Sequence, residues 1–388
     1  MKILFLTTIL PLKTNSGGEI VSKLFIDNLI NLEHSVDVVG YLRHTDTITV
    51  IPANMHLAKK VVIESKSSLL FTMVNLLKSI VNKRCYSSQK YITKEYVHTI
   101  KNLLKSSNYQ LIIIDHFQMG WVLKHLPSKI NIVSIAHNVE SDLYQQQSED
   151  MANDQISRYI YRREANRMQH LEGEIIQRAK LIWLLTQSNK DRYSELFPKY
   201  QYKLNVTCIP PSEITDKEYD SSVNIKKWDI GIIGTWTWKA NMDGLMWFFE
   251  KVYPLLPIDT TICVAGRGGE CLLGKYNNVK YLGFIDNANT FMKESKLIAI
   301  PSIVGDGIQI KTLQAITLGL PIVATSFALR GIENLPSYVR GADDPKEFKE
   351  QLMFQLKSGS VYENEAVTWT CNRKHTFVKE LSIVKELE

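Results

Sequence analysis

Residues 297–326 read LIAIPSIVGDGIQIKTLQAITLGLPIVATS. The apolar run 297–301 has the composition of a buried strand and meets a loop carrying Gly305, Asp306 and Gly307. Helical spacing then predicts a helix over 308–318 with Gly319 as its C-cap, followed by a second strand over 321–326. A strand, a glycine loop and a helix in that order leave free N–H groups at the helix start, where the dipole favours an anion. Lys311 sharpens the reading. A cation in the first turn has the wrong sign for the dipole. It fits either an ordinary helix with a solvated lysine or a site where bound phosphate supplies the missing negative charge.

The same alternation extends in both directions. Short runs rich in Ile, Leu and Val occur at 2–8, 35–41, 111–115, 131–136, 181–186 and 205–209, with helical patterns at 19–32 and 157–178. Such runs suit strands buried on both faces, and alternating strands and helices imply a doubly wound parallel sheet. Pro210, Pro211 and the polar stretch 212–227 break the pattern as a hinge would. It restarts at 229–234, with a helix near 242–253 and strands at 261–265, 279–284, 297–301 and 321–326. The expected fold class is therefore α/β, with two Rossmann-like doubly wound domains facing a cleft. The expected domains are residues 1–210, residues 211–370, and a C-terminal helical segment 371–388 that packs back on the first domain.

With 388 residues, 45% hydrophobic and 22% charged, the chain is long enough for two ordinary cores. Cys85, Cys208, Cys263, Cys271 and Cys371 show no paired spacing, which suits reduced thiols in a cytoplasmic protein. The opening MKILFLTTILPL imitates a short signal peptide but lacks a small-residue cleavage site, so it reads as the first strand. Net charge is +6, and between Lys59 and Lys105 ten Lys/Arg face two acidic residues. Inside that stretch, Leu69, Leu70, Met73, Leu76, Leu77, Ile80 and Val81 recur at helical spacing near Lys78, Lys83 and Arg84. This reads either as a core-facing helix with solvated lysines or as a helix lying on an anionic membrane surface. No nucleic-acid-binding motif accompanies the basic stretch, so no nucleic acid partner is expected.

The conspicuous polar and glycine residues all follow predicted strands. Gly17 and Gly18 open the first helix, either as a close-approach point for a ligand or as a plain turn. Asp115 and His116 follow the 111–114 run, and His137-Asn138-Val139-Glu140 follows the next strand; such histidines are often only structural. In the second half, Gly234 precedes Thr235-Trp236-Thr237-Trp238-Lys239-Ala240-Asn241, whose two tryptophans read as a sugar platform or a core cap. Arg267 lies in a glycine-flanked turn and suits bidentate phosphate pairing or plain solvent exposure. Phe284 ends another strand, and Lys311 and Gln314 share a helix face. Asp343 and Asp344 read as a turn. No Cys/His metal spacing, P-loop or dinucleotide glycine fingerprint is present, so neither a metal site nor a dinucleotide cofactor is expected.

Taken together, these elements resemble a retaining GT-B glycosyltransferase of the family-4 type (glycosyl transferases group 1) over nearly the whole chain. The elements are the first-strand Gly-Gly loop, H-N-V-E, strand-Gly-x-x-x-Trp-x-x-Asn, V-x-G-R-G, G-F-x-D and G-x-G-x-x-x-K-x-x-x-A-x-x-x-G-x-P-I-V-A-T. The resemblance implies transfer of a sugar from a nucleoside diphosphate sugar to a hydroxyl on a glycan or lipid-linked glycan, without metal or cofactor. It implies catalytic roles for His137, Asp306 and Lys311. It implies donor contacts from Gly17, Gly18, Gly234, Lys239, Arg267, Phe284, Gly307, Ile308, Gln309 and Gln314. A cytoplasmic protein lying on the inner face of the membrane fits the basic helical stretch.

The chain departs from the family's Glu-x7-Glu pattern. Asp306 is one methylene shorter than the first glutamate, and Gln314 replaces the second. Gln314 loses the charge-assisted part of its bonds to a ribose diol, about 1–2 kcal/mol. The family's Arg and Lys after the first strand of the nucleotide domain are replaced by Thr235 and Asn241, with Lys239 near. These departures keep a second reading open, a non-catalytic nucleotide-sugar-binding homologue that supports a partner enzyme. An inverting transferase and a sugar-nucleotide epimerase are further alternatives on the same fold.

Overall fold

The computed structural model describes residues 1–13, 16–48, 50–61, 69–151, 154–211, 226–305, 307–358 and 362–387. The described chain divides into two units, one formed by Met1–Thr207 with Val378–Glu388 and the other by Cys208–Phe377. Most of the expected hinge, from 212 to 225, lies outside the described residues.

The first unit is built on a seven-stranded sheet. Its strands are β1 (Lys2–Ile9), β2 (Ser35–Arg43), β3 (Met55–Val61), β4 (Leu111–Asp115), β5 (Asn131–Ala136), β6 (Leu181–Leu184) and β7 (Leu204–Val206). They are ordered β3-β2-β1-β4-β5-β6-β7, and every pairing is parallel. The central strands are apolar because both faces are covered: Ile3, Leu4, Phe5, Leu6 and Leu111–Ile114 are fully buried. Each such side chain contributes about 1.5–3 kcal/mol through burial.

The second unit holds β8 (Trp228–Ile233), β9 (Ile262–Ala265), β10 (Val279–Gly283), β11 (Ser295–Ile300), β12 (Ile322–Ala324) and β13 (Val339–Gly341). The order is β10-β9-β8-β11-β12-β13, again all parallel. The expected α/β class with two doubly wound parallel sheets is thus what the chain forms. Two strands escaped the sequence reading. β3 is an edge strand whose MHLAKKV is nowhere buried, and β13 has only three residues, so neither shows an apolar run.

Three other details correct the sequence reading. The C-terminal helix begins at Glu363 and runs to Leu381, earlier than the apolar spacing suggested, and ends in a 3-10 turn over Ser382–Leu387. Asp344 is more than a turn residue: Oδ1 accepts from Lys346 N–H and Glu347 N–H and so caps the Pro345–Ser358 helix. The Leu69–Val81 helix does not face a core. Met73, Leu77, Ile80 and Val81 are exposed, whereas Asn75 and Ser79 point inward. The side chains of Leu69 and Leu70 lie outside the described residues.

Candidate active site

In a doubly wound sheet, the crossovers change direction at one point, and the strand ends there leave a crevice that cannot be filled by the following helix. The second sheet switches between β8 and β11. The loop after β8 starts at Gly234, and the loop after β11 leads to the Ile310–Thr317 helix, two residues shorter at its start than the sequence predicted. Gln309 caps that helix through its backbone only, and its side chain accepts instead from Ser302 Oγ at 3.0 Å. The N–H groups of Ile308 and Gln309 donate to no described residue, which leaves them to a ligand or water.

Arg330 shapes this loop. Gly305 and Gly307 have φ of 125° and 73°, a region open to glycine. Arg330 donates to Gly305 O at 2.8 Å and twice to Gly307 O, at 3.1 and 3.3 Å. With the carbonyls bound from behind, the guanidinium holds the loop in one conformation. Sequence reasoning passed over Arg330. It lies six residues past β12, beyond the short Ser326–Leu329 helix, and its partners Gly305 and Gly307 are distant in sequence, so no position just past a strand marked it.

Lys311 sits in the first turn and forms no ion pair with a described residue. Its ammonium lies 5.8 Å from the centre of the Trp236 ring. Burial pushes the ammonium down to about 8, although the residue as a whole is only half-buried. Trp236 is buried and donates from Nε1 to Ala265 O at 3.0 Å, so it caps the core under Lys311 and is no exposed sugar platform. Only Trp238 is exposed. A Cβ on Gly266 would lie 1.7 Å from Gly234 O, so the loops after β8 and β9 touch through glycine backbone. Beyond them the Arg267 guanidinium stacks on exposed Phe284 at 4.2 Å.

The other expected donor residues fall around this edge. Gly307 is buried, and Ile308, Gln309 and Gln314 are half-buried. Lys239 is exposed, and Asp243 holds its ammonium at 2.9 Å along its own helix. Asp306 lies outside the described residues.

The first sheet switches between β1 and β4, where a second cluster forms. Gly17 opens the Gly17–Asn31 helix, and Ser16 caps it by accepting from Glu19 N–H. Asp115, at the end of β4, is fully buried; its Oδ2 accepts from Thr7 Oγ at 2.7 Å and Ser22 Oγ at 2.6 Å. Its Oδ1 lies 2.7 Å from His137 Nε2. Burial alone would raise this carboxyl, but His116, His137 and Ser22 outweigh that and hold it well below the usual carboxylate range. An ionised carboxylate only accepts, so Nε2–H of His137 is the donor, and in the neutral ring Nδ1 holds the lone pair. His116 stacks on His137 with ring centres 3.7 Å apart and planes 17° from parallel. Burial pushes His116 down to about 4, and the neighbouring His137 adds to this.

Asp115, His116 and His137 bring ligand-type atoms within 4.8 Å of one another, which the sequence did not lead us to expect. Two stacked imidazoles direct their lone pairs along parallel planes, whereas metal coordination needs them to converge on one point. The cluster is better suited to orienting hydrogen bonds. Behind it, Glu172 is fully buried, accepts from Ser141 N–H and Oγ–H, and receives Tyr193 O–H at 2.8 Å. Tyr193 Oη also lies 3.1 Å from Asn138 O, so its one hydrogen is shared between Glu172 and the loop that carries His137. No sequence signal marked Glu172, since a single Glu on a long charged helix resembles its solvated neighbours.

Comparison with known proteins places these features. Residues 227–357 match the family described as Glycosyl transferases group 1. No curated protein matches the chain in a sequence search. Among solved structures, sucrose-phosphate synthase from Thermosynechococcus elongatus is similar over 100% of this chain and 97% of its own, at TM-score 0.65 and 13% identity. WaaG, a glycosyltransferase involved in lipopolysaccharide biosynthesis, is similar over 98% of this chain and 99% of its own, at TM-score 0.55 and 14% identity. HepE of Anabaena, in complex with UDP and glucose, is similar over 100% of this chain and 99% of its own, at TM-score 0.55 and 15% identity. The chain therefore has the GT-B fold, and its residues 227–357 form a domain that matches the glycosyl transferases group 1 family.

Proposed function

We propose that this protein transfers a sugar, with retention of anomeric configuration, from a nucleoside diphosphate sugar to a hydroxyl of a glycan or lipid-linked glycan. The observation that carries the reading is Lys311: a half-buried cation in the first turn of a helix, over the Trp236 ring, with no anionic partner among the described residues. Such an arrangement is costly unless an anion completes it. A diphosphate does so, with the N–H groups of Ile308 and Gln309 open to it and the loop carbonyls of Gly305 and Gly307 engaged by Arg330. That a fold relative was solved with UDP and glucose supports the choice of donor class.

In this reading, cleavage of the anomeric C–O bond builds charge on the leaving diphosphate, and Lys311 with the helix amides stabilises it. No metal and no cofactor beyond the donor is assigned a role. Gly17, Gly18 and His137 serve the sugar and acceptor, with Asp306 and Gln314 on the donor's hydroxyls. Arg267 on Phe284 is a further candidate for phosphate, and Gly234, Gly307 and Lys239 border the donor. The exposed apolar and basic face of the Leu69–Val81 helix supports work on the cytoplasmic face of an anionic membrane. Among the described residues no helix is long and apolar enough to cross one.

The test is a panel of sugar nucleotides scored by nucleoside diphosphate release, with calorimetry in parallel. Turnover with one donor is expected, and Lys311→Ala should lower kcat/KM by roughly 10²–10³-fold. Donor binding without release from any acceptor mixture would favour the non-catalytic homologue. An unchanged rate in Lys311→Ala would remove this lysine from the mechanism.

A further inference from the structure

His116 has φ 67° and ψ 129°, a conformation that side-chain-bearing residues rarely adopt. Nothing in the local chain demands a histidine there. The backbone leaves β4 at this point and turns into the Phe117–His125 3-10 helix, with His116 N–H on Ile135 O and Met119 N–H on His116 O. Glycine would make both bonds without strain. What the strain secures is the position of the ring. It stacks on His137 at 3.7 Å, with Nε2 3.7 Å from Asp115 Oδ2. It also fills the space over Gly18, where a Cβ would stand 3.2 Å from His116 Cε1. The same Cβ would stand 4.0 Å from His137 Nδ1, so that lone pair looks toward the start of the Gly17–Asn31 helix.

We propose that His116 is a positioning residue for His137: held in a strained backbone conformation, its ring clamps the neighbouring imidazole so that Nε2–H stays on Asp115 and Nδ1 is presented as a hydrogen-bond acceptor for a ligand hydroxyl. The proposal deepens the glycosyl-transfer reading and rests on it for the identity of that hydroxyl, which belongs to the donor sugar or the acceptor. Gly18 gains a role different from donor contact, since its missing side chain makes room for the clamp. His116 acts through His137 and need not touch the ligand.

Two variants separate positioning from bulk packing. His116→Gly relieves the backbone and removes the ring. His116→Phe keeps a stacking ring at the same backbone cost and loses only the nitrogen near Asp115. Imidazole nitrogen NMR on the ligand-free protein, assigned with His137→Asn, reads the tautomer of His137 directly. The wild type and His116→Phe should show one tautomer, with hydrogen on Nε2. His116→Gly should show a mixture of tautomers. Nucleotide release should fall roughly 10–100-fold in His116→Gly through kcat, as expected for a misplaced group, and recover most of that loss in His116→Phe. Recovery in His116→Phe, which keeps a ring at the same backbone cost, separates loss of the stacked ring from the change in backbone strain. A single unchanged His137 tautomer in His116→Gly would overturn the proposal whatever the activity. Absence of nucleotide release from the wild type would instead count against the glycosyl-transfer reading, and the NMR comparison would still decide the role of His116.

Discussion

Lys311 carries an ammonium whose charge is lost within reach of ordinary assay conditions. Burial disfavours the charged form and lowers the group to about 8. In the free enzyme, the lysine is therefore charged below that pH and increasingly neutral above it. If the charge meets the diphosphate, kcat/KM should show a basic limb with a midpoint near 8, because that ratio reports the free enzyme. Stability should move the other way. The unfolded chain binds the proton up to its ordinary lysine range near ~10.4, so between the two values the unfolded state is the more protonated, and the fold gains stability as pH rises. Lys311→Arg keeps its charge throughout and should abolish the limb while retaining part of the activity. A limb of the same midpoint in Lys311→Arg would assign it to another group.

At the scale of elements, the network behind His137 makes a second pH prediction. Glu172, on the Gln155–Arg178 helix, caps the start of the Glu140–Asp150 helix by accepting from Ser141 N–H at 3.2 Å and Oγ–H at 2.6 Å. Burial pushes its carboxyl up to about 8; bonds from Ser141 and Tyr193 oppose this, and Glu140 adds to it. The folded state then holds a proton that the unfolded state releases above about 4.3. Its stabilising contribution is complete below that value and declines as pH rises toward 8, by an amount on the order of 5 kcal/mol. Glu172→Gln cannot titrate. Urea unfolding at intervals from pH 5 to 8 should show wild type losing stability relative to Glu172→Gln across that window, and parallel curves would refute the assignment.

The same elements show what could be read beforehand. Buried parallel strands announce themselves because both faces are covered, and eleven of the thirteen strands among the described residues overlap predicted runs. The switch-point loops were legible for the same reason, since glycines and polar residues interrupt those runs. Edge strand β3 was not, because only a strand with covered faces needs an apolar sequence. Arg330, Asp115 and Glu172 were not assigned roles because each acts on a residue distant in sequence. Gly305 lies 25 positions from Arg330, and Glu172 reaches Ser141 across 31. Trp236 stayed open between platform and core cap because a loop tryptophan folded onto the core cannot be told by sequence from one facing solvent.

For the molecule as a whole, the positive charge and the inverted helix are one problem. The Leu69–Val81 helix exposes Met73 at 61%, Leu77 at 60%, Ile80 at 50% and Val81 at 79%, one apolar stripe facing solvent. Lys78 and Lys83 are also exposed, and Arg84 lies just beyond the helix. Its inner side is pinned to the Gln155–Arg178 helix, with Arg167 donating to Ser79 O at 2.7 Å and Arg84 O at 2.9 Å. Two and three turns before Arg167 on that second helix, Tyr159 and Ile156 are exposed at 71% and 75%. Water is a poor neighbour for such a stripe, whereas a lipid interface accepts the apolar side chains and an anionic one draws the lysines, at about 1 kcal/mol for each basic residue near the surface. The full-length protein should therefore sediment with phosphatidylglycerol-rich vesicles at low salt, be partly released by high salt, and bind neutral vesicles weakly. The double change Leu77→Asp with Ile80→Asp touches exposed positions only, so folding and nucleotide release from a soluble donor should persist while vesicle binding is lost. Wild-type protein that stays in the supernatant over anionic vesicles, or a double variant that sediments as well as wild type, would show that this stripe meets something other than a membrane.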